Sequence, residues 1–215
     1  MNNIADSSLK RLLIALAFYL TSLFSANTLG LKIMPFLFNS HLSVAVFSFP
    51  IVFLMTDVVG EVYGKRIARL FVLAGFVSTA LFIGYSLLSL AVPWSPDGKW
   101  AKEGYNQMFG ISTRIALASL VAFLIAEYQD VISFFFLRKR LGPKSFWLRS
   151  TLSNLWSQLL DTIIFSAIAF IDVYPLPVLG SISVTWWLYK VAMGVLYMPL
   201  SYVGIKLLKD KTQNQ

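Results

Sequence analysis

The sequence has no cysteine among its 215 residues and only one histidine, His41. Without cysteine, disulfide bonds, thiolate catalysis and Cys-ligated metal sites are excluded. His41 is predicted at the outer end of an apolar segment, so a Ser-His-Asp triad or a His-based metal site inside a membrane has no histidine to use. No Walker A or dinucleotide-type glycine-rich loop occurs, which argues against direct use of ATP. The sequence therefore predicts no catalytic residue, no metal and no cofactor.

Charged side chains are also scarce, at 13% of the residues, whereas hydrophobic side chains make up 57%. Ordinary soluble domains have about 25% charged and about 45–50% apolar residues. Together with a mean hydropathy of +0.71, these values predict an integral membrane protein. A spanning helix needs about 20 apolar residues, so the length allows no more than about six or seven spans. We expect one transmembrane domain covering residues 1–215, with no room for a separate soluble domain.

Six apolar runs predict six spanning helices, so the chain is expected to be an all-α membrane protein. The runs are Leu12–Leu31, Leu42–Val59, Leu70–Val92, Ile115–Leu137, Leu152–Ile171 and Ile182–Leu208. Most of the 18 basic residues lie in four segments: the amino end, the loop after the second span, the loop after the fourth span, and the tail. An even number of spans puts these segments on one side, which the positive-inside rule makes cytoplasmic. Both termini are therefore predicted in the cytoplasm, and the net charge of +8 reflects this orientation rather than binding of nucleic acid.

The predicted fifth span carries three polar residues, Asn154, Gln158 and Asp161, at positions i, i+4 and i+7. This spacing puts all three on one face of an α-helix. A charge near the centre of a spanning helix costs about 2.5–3.5 kcal/mol on an insertion scale. Such residues are therefore kept for a substrate path, a proton relay or a buried ion pair. The polar stripe indicates a transporter.

The predicted fourth span adds two acids, Glu127 and Asp130, that match the fifth span in depth. Counted from the loop that joins the two spans, Asp130 lies nearly level with Gln158, and Glu127 with Asp161, at about 1.5 Å per residue. Lys190 in the sixth span lies within ~3 Å of the depth of Asp161, which predicts an ion pair. One lysine cannot neutralise all the acids predicted in the membrane, so some of them must be protonated, hydrated or bound to a ligand.

This predicted polar face suits a planar heterocycle. Carboxylates accept hydrogen bonds, Asn and Gln side chains both donate and accept, and tryptophan and tyrosine rings offer flat apolar surfaces. A guanine-like edge presents adjacent N–H donors that one carboxylate can accept as a pair. The predicted substrate-binding residues are Asn27, Asp57, Glu127, Asp130, Asn154, Gln158, Asp161, Trp186 and Lys190. Alternatively, Asp57 and Glu61 could form ion pairs with Lys65 or Arg66 and so hold the loop after the second span in place.

The second predicted span is short, has Pro50 at its middle and ends in the stretch TDVVGEVYGK. Short or proline-broken spans often form the binding site of a transporter, because a broken helix frees backbone groups to contact a ligand. A simple proline kink is the alternative. The loop after the third span mixes proline and glycine with aromatic residues, and we expect it to lie in the membrane interface on the outer side.

Three segments of the chain resemble a known family. FPIVFLMTDVVGEVYGKRIAR, RIALASLVAFLIAEYQD and FWLRSTLSNLWSQLLDTIIF are similar, in order and spacing, to signature segments of the queuosine precursor transporters, also called the vitamin uptake transporter family. The resemblance covers residues 27–199. It implies a six-helix, multi-pass protein of the bacterial inner membrane that imports 7-cyano-7-deazaguanine for the synthesis of queuosine in transfer RNA. Its aminomethyl relative is a second candidate substrate. Both carry the guanine edge that fits the polar face.

Two other functions stay open. The chain could be the substrate-binding subunit of an energy-coupling-factor importer. The A-x-x-x-A contact motif of those subunits is incomplete here, however, because the residue four positions after Ala15 is Tyr19. It could also be an intramembrane enzyme that acts on a small heterocycle. The driving force is open as well: Glu127 or Asp130 could carry a coupled proton, or transport could be facilitated diffusion. The expected partners are a small-molecule 7-deazapurine and the lipid bilayer, but no nucleic acid, and a homodimer is left open.

Overall fold

The chain folds almost entirely into helices. The computed structural model describes residues 6–30, 32–35, 41–110, 113–142, 145–170 and 175–209. The helices are α1 Asp6–Leu29, α2 Phe49–Tyr63, α3 Lys65–Ala91, α4 Lys102–Phe109, α5 Thr113–Leu141, α6 Phe146–Phe170 and α7 Leu176–Leu208. Two short strands, β1 Ile33–Pro35 and β2 His41–Ser43, pair antiparallel. One 3-10 helix covers Val44–Phe47, and another covers Pro96–Ala101. The all-α prediction is confirmed apart from this small ribbon.

Five helical segments of the described part are long and apolar enough to cross a membrane. They are Ser7–Leu29, Val44–Tyr63, Lys65–Ala91, Ala118–Leu141 and Leu176–Leu208. The sixth predicted crossing corresponds to α6, whose 25 residues would span a bilayer core of ~30 Å at about 1.5 Å per residue. α6 is not among these five segments, and its polar stripe interrupts its apolar sequence. The six-span topology therefore stays a prediction.

The helix bundle has an apolar outer surface, and its interior combines apolar side chains with buried polar and ionisable ones. On α3, for example, Leu73, Leu81 and Leu88 are exposed, whereas the acids Asp57 of α2 and Asp130 of α5 are buried. In a bilayer, apolar side chains face the acyl chains and ionisable side chains turn towards the interior of the bundle. This distribution is the one expected of a multi-pass membrane protein.

The four basic segments meet at one end of the bundle, which we call the basic end. There the Tyr63 hydroxyl at the end of α2 donates to the carbonyl oxygens of Ser8 in α1 and Leu208 in α7, at 3.4 and 3.3 Å. Arg11 of α1 donates to the carbonyl oxygen of Lys209 at 2.8 Å. These contacts bring the start of α1 and the end of α7 to the same end of the bundle, as an even number of spans predicts. That this end faces the cytoplasm stays a prediction from the positive-inside rule.

The second span differs most from its prediction. The sequence predicts a helix over Leu42–Val59 with Pro50 at its middle, whereas α2 runs from Phe49 to Tyr63 and has Pro50 in its first turn. Proline suits that turn because the missing N–H would have no helical acceptor there. The spanning segment Val44–Tyr63 thus changes from a 3-10 helix to α2 at Ser48, and Pro50 begins α2 rather than lying inside an α-helix. The chain passes from α2 into α3 at Gly64, whose φ of +86° favours glycine.

The loop after the third span forms a small aromatic cap. The Trp94 and Tyr105 rings meet edge to face at 5.3 Å, and the Tyr105 hydroxyl donates to Ser89 of α3 at 2.9 Å. The cap belongs to the opposite end of the bundle from the basic end, because it follows the end of α3. Its predicted place in the membrane interface is not tested. The side chain of His41 and the residues Lys144 and Lys211 lie outside the described part of the chain.

Candidate substrate site

The core of the site is a buried polar face on α6. Seven polar residues recur there at intervals of three and four, and all are buried: Ser150, Ser153, Asn154, Ser157, Gln158, Asp161 and Thr162. Hydroxyls of this face also donate back to the helix, as Thr162 does to the carbonyl oxygen of Gln158 at 2.9 Å. Small hydroxyl side chains let α5 approach α6 closely, and helices α5 and α6 form the most extensive packing contact of the bundle.

Two acids of neighbouring helices bind to this polar face. The Asp57 carboxylate accepts hydrogen bonds from the Ser150 hydroxyl and, at 2.9 Å, from the Asn154 amide. The Asp130 carboxylate accepts a hydrogen bond from the Ser157 hydroxyl at 2.9 Å. The carboxyl groups of Asp57 and Asp130 also lie close enough to interact with each other. Polar groups of α5 and α6 therefore face each other, as predicted, and Asp57 of α2 contacts the same polar face of α6.

Glu127 lies one turn before Asp130 on α5 and is completely buried. The hydroxyls of Tyr19 and Thr56 approach its carboxylate. Within the described residues, however, neither oxygen of Glu127 has a hydrogen bond of acceptable geometry, and the Tyr19 hydroxyl has none either. An unsatisfied buried polar group costs about 1–3 kcal/mol, and more if it is charged. Such an arrangement suits a group with a functional rather than a purely structural role.

A cavity of about 500 Å³ lies in the half of the bundle away from the basic end. Five of the predicted substrate-binding residues line it: Asn27, Gln158, Asp161, Trp186 and Lys190. The other four predicted residues, Asp57, Glu127, Asp130 and Asn154, are not part of its lining and lie closer to the basic end. Ligand pockets of proteins measure about 300–1,000 Å³, so this cavity has the size expected of a small-molecule site.

The ion pair predicted between Asp161 and Lys190 is present at the wall of this cavity. The Lys190 ammonium lies 2.6 Å from Oδ2 of Asp161 and 3.3 Å from the Thr162 hydroxyl. It also lies 5.1 Å from the centre of the Phe49 ring. The two charged side chains remain partly open to the cavity, with 25% of the lysine and 8% of the aspartate side chain exposed. The pair is therefore positioned to contact a ligand.

The aromatic residues near the stripe divide into two groups. Trp186 lines the cavity beside Phe165, with ring centres 6.4 Å apart. Trp156 and Tyr128 are exposed on the outer surface of the bundle. The Trp187 indole donates to the carbonyl oxygen of Leu155 at 3.0 Å. Of these aromatic side chains, only Trp186 and Phe165 are placed to stack on a ligand in the cavity.

The predicted partners of Glu61 are wrong. Glu61 forms ion pairs with Arg149 of α6 at 3.1 Å and with Arg138 of α5 at 3.6 Å, rather than with Lys65 or Arg66. Arg149 is completely buried, although the sequence pattern assigns it to the basic loop that sets the orientation. The ion pairs therefore tie α2, α5 and α6 together at the basic end.

Sequence reasoning also missed the residues that surround the acids. Tyr19, Phe49 and Thr162 contact the predicted residues but carry no signal of their own, because aromatic and hydroxyl residues are common in spanning helices. The serines of α6 are different, since Ser150 and Ser157 extend the stripe at helical spacing. They could have been found by continuing the same period. No group of three or more acid or histidine side chains in the described part is arranged to hold a metal ion.

Comparison with known proteins gives a consistent result. Residues 43–204 match the model of a family described as "Putative vitamin uptake transporter". The chain is 33% identical over 161 residues to a "Probable queuosine precursor transporter" of Bacillus subtilis, covering 74% of this chain and 69% of the relative. It is 30% identical over 181 residues to the "Queuosine precursor transporter" of Escherichia coli, covering 80% and 79%. A relative in Haemophilus influenzae is 27% identical over 180 residues, covering 82% and 74%. No solved structure matches significantly.

Proposed function

This chain belongs to the vitamin uptake transporter family, and on that premise we propose that it imports 7-cyano-7-deazaguanine across the bacterial inner membrane. Its matched relatives are named queuosine precursor transporters, and this compound is such a precursor. The aminomethyl analogue has the same guanine edge and is the second expected substrate. Transport is secondary or facilitated, without a partner ATPase, and leaves the ligand chemically unchanged.

The observation that carries this proposal is the Asp161 and Lys190 ion pair at the cavity wall. The pairing edge of a guanine presents one acceptor, the O6 carbonyl, followed by two donors, the ring N–H and the exocyclic amino group. Lysine supplies the matching donor and aspartate the two matching acceptors. Lys190 contacts Asp161 through Oδ2 alone, so Oδ1 is the oxygen that would accept first from a ligand. An adenine edge lacks this order of groups and would not be complementary.

The remaining lining suits a flat, mostly apolar ring system. Trp186 and Phe165 offer aromatic faces on the side of α6 and α7. Stacking of a base on an aromatic side chain is worth about 1–3 kcal/mol. Asn27 and Gln158 add amide groups that can both donate and accept, so they can bind polar atoms on the ligand edges.

Uptake into liposomes that contain only this protein tests the proposal. We expect saturable entry of labelled 7-cyano-7-deazaguanine above that of empty liposomes. Excess unlabelled 7-aminomethyl-7-deazaguanine should compete with it, whereas excess adenine should not. Mass analysis of the recovered ligand should show no change.

Each failure of this assay has a separate meaning. Binding without entry would instead indicate a binding subunit that needs a partner ATPase. A new mass in the recovered ligand would indicate an intramembrane enzyme. Competition by adenine equal to that of the aminomethyl analogue would contradict recognition of the guanine edge.

A further inference from the structure

Three buried acids are left without a cationic partner once the ion pairs are assigned. Lys190 pairs with Asp161, and the arginines of α5 and α6 pair with Glu61. Within the described residues, no lysine or arginine pairs with Asp57, Glu127 or Asp130. All three are at most 1% exposed. A buried charge without a partner costs several kcal/mol, so these acids need a compensating cation or proton.

The geometry of Asp57 and Asp130 suits a proton better than a metal ion. The two carboxylates come from different helices and face each other at the polar face of α6. Ser150 and Asn154 hold Asp57 in place, and Ser157 holds one oxygen of Asp130. The second oxygen of Asp130 has no hydrogen bond in the described part of the chain. Two facing carboxyl groups need only one proton to become a hydrogen-bonded pair, whereas a metal ion needs several converging ligands.

We propose that Asp57 and Asp130 form a proton-binding pair, separate from the substrate cavity, that couples uptake to inward proton movement. This inference rests on the transport function proposed above. For Asp57 this task differs from the substrate binding predicted for it, and for Asp130 it is the proton-carrying alternative named above. Neither residue lines the cavity. The substrate contacts Asp161 and Lys190, and the coupling proton occupies a position nearer the basic end.

Glu127 connects the two sites. It is an electrostatic neighbour of Asp161 at the cavity wall and of Asp130 in the pair. A proton that enters from the cavity binds the Glu127 carboxylate, passes to the Asp57 and Asp130 pair, and leaves at the basic end. One proton crosses per cycle, each carboxylate returns to its starting state, and the ligand takes no part in the transfer. The titratable or charged groups around this route are Tyr19 of α1, Glu61 of α2, Arg149 and Asp161 of α6, and Lys190 of α7.

Proton movement in the wild-type protein gives the first test. Liposomes are loaded with a pH-sensitive dye, and 7-cyano-7-deazaguanine is added outside at equal pH on both sides. We expect the interior to acidify in step with entry of the ligand. Entry without acidification would overturn the proton-binding pair but leave the transport function intact. Concentrative uptake driven by a sodium gradient at clamped pH would also overturn it. Absence of entry altogether would reject the transport function itself.

Variants then locate the proton. Asp57→Asn and Asp130→Asn should bind the ligand within about twofold of the wild-type affinity and should still exchange labelled for unlabelled ligand. Both should lose acidification and concentrative uptake under an imposed pH gradient. Asp97→Asn, the same chemical change in the 3-10 helix before α4, is the matched control and should behave as the wild type. A tenfold loss of ligand affinity in either variant would contradict the separation of the two sites. Unchanged acidification in both variants would contradict the assignment of the proton to the pair.

Discussion

Replacing Arg149 should strongly destabilise the bundle, because this arginine is the buried member of the ion pairs at the basic end. Its side chain is 0% exposed, and that of its partner Glu61 is 11% exposed. Removing one member of a buried ion pair costs about 3–5 kcal/mol. Glu61 keeps a second partner in Arg138 at 3.6 Å, which places the expected loss at the low end of that range. Contact between the guanidinium and the Phe134 ring, 5.2 Å away, is also lost.

The expected destabilisation of Arg149→Met is therefore about 3 kcal/mol. For a chain of this length, about 2–4 °C of melting temperature is lost per kcal/mol, so the midpoint in detergent should fall by about 6–12 °C. Arg140→Met is the matched control, since Arg140 is exposed and, within the described residues, contacts the Phe136 ring at 5.4 Å without a buried ion pair. Its midpoint should change by no more than about 2 °C, as expected of a surface substitution worth about 0.5 kcal/mol.

The double variant Arg149→Met with Glu61→Gln separates charge from packing. When both charges are removed, no uncompensated carboxylate remains, so the double variant should be more stable than the sum of the two single changes predicts. We expect a coupling of at least about 1 kcal/mol. Equal midpoints for Arg149→Met and Arg140→Met would refute the reasoning. Strict additivity of the two changes would show that packing, and not the ion pair, explains the loss.

Two further predictions concern the site. A Cβ at Gly75 would lie 2.7 Å from the Tyr19 hydroxyl, so Gly75→Ala should lower the stability of the protein by about 1–3 kcal/mol. A Cβ at Gly84 on the same helix would meet nothing within 4 Å, so Gly84→Ala should not destabilise the protein. Thermal unfolding of both variants checks this, and equal midpoints would contradict it. Lys190→Met should reduce uptake at least tenfold and Lys190→Arg should retain part of it, because Asp161 needs a positive charge rather than bulk. Normal uptake by Lys190→Met in the liposome assay would rule out a role for the ion pair.

Depth along a helix could be predicted from the sequence, and this accounts for much of the site. The fixed rise per residue placed Asp161 level with Lys190, and the structure has this ion pair. It placed Asp130 level with Gln158, and in the structure Asp130 contacts Ser157, the residue before Gln158. Asn154, Gln158 and Asp161 were also visible as a stripe, because ionisable and amide residues are rare in spanning helices, whereas the serines that extend the stripe were missed. Predictions of this kind depend on short-range periodicity alone.

Contacts that depend on packing could not be predicted in this way. Glu61 has basic neighbours one turn away in sequence, yet it pairs with Arg149 of another helix. Pro50 could be placed in an apolar run, but whether it breaks or begins a helix depends on where the preceding turn ends. Depth also does not reveal which residues face an open space. In the structure, five of the nine predicted residues line the cavity, and the other four are buried away from it.

Titration calorimetry of the purified protein with 7-cyano-7-deazaguanine tests the central claim most directly. The account predicts that the wild type and Asp97→Asn bind the ligand with the same affinity. Asp161→Asn should bind at least tenfold more weakly, because it keeps the shape of the side chain but turns one acceptor into a donor. A mismatched buried hydrogen bond of this kind costs about 1–3 kcal/mol, and each ~1.4 kcal/mol is tenfold in affinity. Unchanged affinity of Asp161→Asn, or no binding by the wild type, would contradict the proposed substrate site.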